Sequence, residues 1–254
     1  MPNQSINRDT LKCALYVNRL LLIKRSHTVF AGKKALLLDM NSTFMFGEDR
    51  FGDSEDFSVH YFKIGGTLPQ HEINRVVRAA HHYLDARYPD EYYRHRFPSL
   101  ERAILEVGGE TLDRKQVVKI IETFAFHELG HIPNEYAVAL HKLRQHFTLA
   151  AVIDIWSPKT AWLKEFERVG ISDLFSATSF SSDHGMVKPS PKPFEFVLSL
   201  LGISGQEAVV VGDSPRRDLG GAKSAGIDCI LVGGAEHPCA LKSYGNLLEL
   251  CNAI

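Results

Sequence analysis

Three aspartates and one lysine carry the reactive chemistry that this chain's residue types allow. Asp39 follows the apolar run 35–38 (ALLL). Asp213 lies just past the run 208–211 (AVVV), and Asp218 comes five residues later. Lys188 lies between them in sequence, in GMVKPSPKPF. A lone acid after a strand is ordinarily a helix cap or a turn residue. Several acids and a lysine converging on one sheet edge call for a cation, because clustered carboxylates repel one another. Hard oxygen ligands suit Mg²⁺, which keeps waters and a substrate phosphate in its shell. The lysine can neutralise phosphate charge, leaving the Asp39 carboxylate to attack phosphorus and form an acyl phosphate.

A second string competes. Residues 127–131 read His127-Glu128-Leu129-Gly130-His131, matching the H-E-x-x-H zinc-peptidase signature. Pro133 is expected to end any helix there. The extended signature also fails, with Asn134 where Gly is required and Ala137 where the third His is required. A remote third ligand such as Glu165 or Glu167 would lie on a helix of the other part of the fold. A zinc-peptidase role is set aside, and His81-His82 are read as surface or packing residues.

These residues need a frame. Residues 35–38, 147–155, 208–211 and 227–232 read as buried strands of a parallel sheet. Helical spacing recurs between them at 135–146, 158–169, 193–201 and 215–225, with Ser157 as the expected N-cap of the second and Pro158 at its first position. This alternation predicts a doubly wound α/β fold, whose ligands bind at the carboxyl ends of the strands. Residues 47–133 differ. They are rich in aromatic, His and charged residues, with clear helices at 73–88 and 114–129, and read as a helical insertion after the first strand.

LLLDMNSTF, VKPSPKPF and VVVGDSPRRDLGGAKSAG resemble three sequence motifs of the haloacid dehalogenase superfamily of hydrolases. The resemblance runs from residue 35 to about 232. It implies a Rossmann-like core at 32–46 and 134–254, a helical cap at 47–133 and an N-terminal extension at 1–31. It also implies Asp39 as nucleophile, Lys188 as the phosphate-neutralising lysine, and a Mg²⁺ ion held by Asp39, Asp213, Asp218 and the backbone carbonyl of Asn41. The implied substrate is a small phosphorylated metabolite.

The chain departs from that pattern twice. Asn41 stands where the phosphatases of the superfamily carry a second Asp that protonates the leaving oxygen. General acid–base catalysis is worth about 10²–10⁴-fold, or about 3–5 kcal/mol of barrier. Asp154 lies at or next to the position of the usual phosphate-binding Ser or Thr, and Ser157 is the nearest hydroxyl. Three readings stay open: a phosphatase with reassigned proton transfer, a dehalogenase-like enzyme, and an impaired binding protein. Dehalogenases tolerate Asn at this position but work without Mg²⁺, whereas this chain keeps both acids of GDSPRRD.

Composition removes other classes. The 254 residues carry 29 basic and 30 acidic side chains, for a net charge of -1. That leaves no basic footprint for nucleic acid. The greasiest stretch, 11–23, is broken by Lys12, Asn18 and Arg19, so neither a membrane span nor a signal peptide is expected. An amphipathic helix or loose extension is preferred over a mitochondrial presequence for the N-terminus. Cys13, Cys229, Cys239 and Cys251 form no C-x-x-C pair and read as reduced thiols of a cytoplasmic protein, and the sequons at Asn3 and Asn41 carry no weight there. Arg216-Arg217 read either as contacts to an anionic substrate or as a solvated helix start. The aromatics of 90–97 read either as pocket wall or as packing. The oligomeric state is open.

Overall fold

The computed structural model describes residues 29–109 and 112–254. The expectations for residues 1–28, including Cys13 and Asn3, lie outside them. The strands are β1 Ala35–Leu38, β2 Thr148–Ile153, β3 Phe175–Phe180, β4 Ala208–Gly212, β5 Asp228–Leu231 and β6 Lys242–Ser243, in the order β3-β2-β1-β4-β5-β6. Every pairing is parallel. β1 pairs with β2 on one side and β4 on the other, and all its residues are fully buried, as ALLL demands. The strand order runs β1, β2, β3 one way and β4, β5, β6 the other. The crevice of such a sheet opens where the order reverses, at the carboxyl ends of β1 and β4.

The sheet is covered on both faces. Successive strand residues point to opposite sides. Leu36, Leu38, Val209 and Val211 therefore join Trp162 and Phe166 on one face, while Leu37, Ala150 and Val210 join Phe194 and Val197 on the other. Each such large side chain contributes about 1.5–3 kcal/mol by leaving water.

The helices are α1 Ser58–Lys63, α2 Gln70–Asp85, α3 Leu100–Gly108, α4 Arg114–Glu128, α5 Asn134–Arg144, α6 Thr160–Arg168, α7 Ser181–His184, α8 Lys192–Leu201, α9 Gly220–Ser224 and α10 Leu247–Asn252. α1–α4 share a separate apolar cluster that includes Phe57, Tyr61, Val76, Leu84, Ile104 and Phe124. Where the chain leaves for these helices and returns, Phe46 and His131 exchange two backbone hydrogen bonds, of 2.9 and 2.8 Å.

Three local expectations are corrected. Ser157 is not an N-cap: α6 starts at Thr160 with Lys159 before it and no side-chain cap. The chain between β2 and α6 is held instead by Glu128, which accepts the Ser157 N–H. Residues 215–225 are not one helix. Pro215–Leu219 form a wide π-turn before α9, and the Leu219 N–H donates to Ser214 O at 3.2 Å. α4 ends at Glu128, one residue short of Leu129 and five short of Pro133, so His127 and His131 do not share a helix face.

β3 and α10 were not foreseen. β3 is an edge strand, so FSATSF can hold Ser and Thr and shows no continuous apolar run. Among the described residues no helix is long and apolar enough to cross a membrane. Cys229, Cys239 and Cys251 are free thiols.

Candidate active site at the ends of β1 and β4

Asp39 directly follows β1, and its backbone N–H donates to Val211 O at 2.8 Å, which ties it to β4. Asp213 follows β4. The π-turn then swings Asp218 back beneath the same edge, where its Oδ2 accepts the Ser214 N–H at 3.0 Å. Lys188 arrives from the loop after α7 and donates through Nζ to Asp39 Oδ1 at 2.5 Å and to Asp218 Oδ1 at 2.7 Å. Asp39, Lys188 and Asp218 are all buried.

Electrostatics follow from that burial. Burial pushes the Asp39 carboxyl up to about 7, although Lys188 beside it pulls the other way. Burial alone would lower Lys188, but Asp218 and Asp39 outweigh it and keep the ammonium charged. One cation cannot balance three carboxylates. Oxygens of Asp39, Asp213 and Asp218 lie within 4.8 Å of one another. Asp213 Oδ1 is buried without a hydrogen-bond partner, and the Arg217 guanidinium stands 3.9 Å away. An all-oxygen donor set with a surplus of negative charge and an unpartnered buried oxygen fits a hard divalent cation such as Mg²⁺.

A cavity of about 290 Å³ opens beside this cluster. Asn41 lines it, and its Oδ1 is buried with no hydrogen-bond partner. Asp154 lines it too, accepting the Tyr88 hydroxyl at 2.6 Å and the Lys188 backbone N–H at 2.9 Å through the same Oδ2. Burial raises Asp154 against the pull of Lys188 and Tyr88. Ser157 does not belong to the lining. It is fully buried with its Oγ unpartnered, so the structure does not bring this expected substrate contact to the cavity.

Arg217 lines the cavity and donates to Tyr88 Oη at 3.4 Å, whereas Arg216 is exposed. Tyr88, Trp156 and His81 supply aromatic lining, and Asp49, Asp85 and Glu128 bring further carboxylates. Sequence spacing alone assigns no site role to Tyr88, Trp156, Asp49 or Asp85. They come from three separate segments, at 49, 85–88 and 156, which only the folded chain brings together.

Glu128, the acid of HELGH, holds backbone. Its Oε1 accepts the Trp156 N–H at 2.5 Å and its Oε2 the Ser157 N–H at 2.9 Å. Burial pushes it to about 7 in spite of those bonds. His127 is buried edge-on to Phe57 at 4.8 Å, and His131 is exposed beside Glu165 at 3.4 Å. Glu165 is itself paired with Arg168 at 2.7 Å. Among the described residues these groups assemble no metal-ligand cluster.

Residues 71–232 match the family model described as haloacid dehalogenase-like hydrolase. The chain is 28% identical over 184 residues to the pyrophosphatase PpaX of Halalkalibacterium halodurans, covering 68% of this chain and 81% of that protein. It is 36% identical over 63 residues to the phosphoserine phosphatase of Thermus thermophilus, a quarter of each chain. Among solved structures, the 2-haloacid dehalogenase from Pseudomonas syringae pv. Tomato superposes with a TM-score of 0.61 at 22% identity, over 87% of this chain and 97% of that one. The HAD phosphatase from Thermococcus onnurineus gives 0.57 at 22% identity, over 86% and 96%. With more than half of its length matched by the family and its fold shared with these structures, the chain belongs to the haloacid dehalogenase-like hydrolases.

Proposed function

We propose that this hydrolase is a Mg²⁺-dependent phosphatase acting on a small phosphorylated metabolite. The observation that carries the reading is the buried Asp39–Lys188–Asp218 ion cluster, with Asp213 beside it, at the mouth of the sheet. Asp39, Asp213, Asp218 and the carbonyl of Asn41 would hold the ion. When bound, the ion would offset the charge of the phosphoryl group and of the acids. Asp39 attacks phosphorus through a carboxylate oxygen, the bond from phosphorus to the leaving oxygen breaks, and an aspartyl phosphate forms. Water then attacks that phosphorus, releasing phosphate and restoring the Asp39 carboxylate. Lys188 steadies both the nucleophile and the incoming negative charge.

The named phosphatases among the relatives support this reading. So does the retention of Asp213 and Asp218, which a dehalogenase working without metal has no need of. We further propose that residues 47–133 act as the cap. Their separate apolar cluster and the paired crossings at Phe46 and His131 support those bounds. A weak or inactive enzyme is the second reading. Asn41 cannot donate and accept a proton in turn, and Asp154 places a carboxyl in the cavity. A phosphate-release screen over a metabolite panel, with and without Mg²⁺, on wild type and Asp39→Asn separates the two. Metal-dependent release that Asp39→Asn abolishes supports the phosphatase, and no release from any ester supports the second reading.

A further inference from the structure

We propose that the cavity beside Asp39 selects phosphomonoesters whose alcohol carries an ammonium group, that is, amino-alcohol phosphates. This rests on the phosphatase reading and adds the substrate class. The lining is unbalanced in charge. Asp49 enters from the loop after β1, Asp85 from the end of α2, Glu128 from the end of α4 and Asp154 from the end of β2. Arg217 is the single basic side chain of charge +1 among them, and it is drawn to Tyr88 and Asp213, 3.4 and 3.9 Å away.

An alcohol bearing a carboxylate or a second phosphate would face these acids across a small cavity, where like charges repel. A cation is favoured by the same field.

The aromatic groups point the same way. Tyr88 and Trp156 stand nearly perpendicular, at 69° with centroids 5.9 Å apart, and His81 lies 5.4 Å from Trp156. Angled aromatic faces beside carboxylates are the surroundings in which an ammonium group gains cation–π attraction, about 0.5–2 kcal/mol. Burial lowers His81, so its ring stays neutral at physiological pH and adds no competing charge. The buried Asn41 Oδ1, with no donor in reach, offers a further acceptor. At about 290 Å³ the cavity is at the small end of ligand sites, sized for a short alcohol.

The test compares phosphocholine and phosphoethanolamine with 3,3-dimethylbutyl phosphate, the uncharged isostere, and with pyrophosphate. 4-Nitrophenyl phosphate serves as an independent report of phosphatase activity. The expected result is a kcat/KM at least tenfold higher for the amine esters, with the ratio falling severalfold in Asp85→Asn. Calorimetric titration of choline against 3,3-dimethylbutanol reads the cavity without turnover and should show the same tenfold preference. Hydrolysis of 4-nitrophenyl phosphate with no preference for amines in either assay overturns the substrate class and leaves the phosphatase standing. Preferential choline binding with no hydrolysis of any ester supports the cavity's selectivity and overturns the phosphatase instead.

Discussion

The carboxylate of Asp218 folds so closely over Gly212 that a Cβ on Gly212 would lie 2.3 Å from Asp218 Cγ. Glycine at the end of β4 is thus a space requirement. Asp218 cannot yield easily, because Lys188 and the Ser214 N–H hold both its oxygens. Gly212→Ala should cost about 1–3 kcal/mol by overpacking and push Asp218 out of the cluster. Gly221→Ala is the matched control: its Cβ would strike Phe194 at 2.5 Å, away from the carboxylates. Both variants should melt lower by differential scanning calorimetry. Only Gly212→Ala should also lose its response to Mg²⁺, and an intact response there would refute the space argument.

Glu128 should make stability depend on pH. Its folded value, about 7, lies above its ordinary value of 4.5. Between those values the folded state holds a proton that the unfolded chain has released, so the contribution is fully present below about pH 4.5 and is lost as pH rises to 7. The loss is roughly 3 kcal/mol at most. Glu128→Gln cannot ionise, so its denaturation midpoint should fall less than that of wild type over this range. Parallel curves for the two proteins would show that Glu128 is ionised throughout.

The sheet was readable because its buried strands are apolar runs, and two of them, ALLL and AVVV, stop just short of an acid, a spacing that puts Asp39 and Asp213 at one edge. Lys188 and Asp218 belong to the same candidate set, the resemblance adds their roles, and the geometry brings both into the cluster. The cavity was not readable in the same way. Tyr88 and Asp154 are 66 residues apart and meet at 2.6 Å, a contact with no local pattern. Ser157 misled because a Ser before Pro is a frequent helix start, and here tertiary bonds to Glu128 outweighed that local preference. HELGH resembles a metal motif in sequence only: Leu129 adopts an extended conformation and separates the two histidines, in line with the expectation that set the zinc reading aside.

Magnesium should stabilise the fold. The cluster sets three carboxylates against one lysine, and a cation bound only by the folded state raises stability by about 2.7 kcal/mol at 100 times its Kd. For a chain of this size that is a melting shift on the order of 5–10 °C. Asp213→Asn should reduce the shift with little change in the metal-free melting point, because Asp213 Oδ1 has no hydrogen-bond partner to lose. A melting curve unmoved by tens of millimolar Mg²⁺ would count against the metal site.

Asn41→Asp tests whether the missing acid limits the enzyme. Asn41 lines the cavity with a buried, unpartnered Oδ1, so the nearly isosteric carboxyl needs no repacking and breaks no bond made by that oxygen. It adds charge near Asp39, which should lower the melting point in the absence of Mg²⁺ and much less in its presence. A proton donor there should raise the rate on alkyl phosphates by about 10²-fold, because an alkoxide leaves poorly without protonation. Aryl phosphates, whose leaving groups are stable as anions, should gain little. The ratio of alkyl to aryl rates is therefore the decisive measurement, since a general change in folding or substrate binding moves both. If that ratio is unchanged in Asn41→Asp, or if wild type already turns over alkyl and aryl esters equally fast, another group in the cavity carries the proton and Asn41 is not the limiting residue.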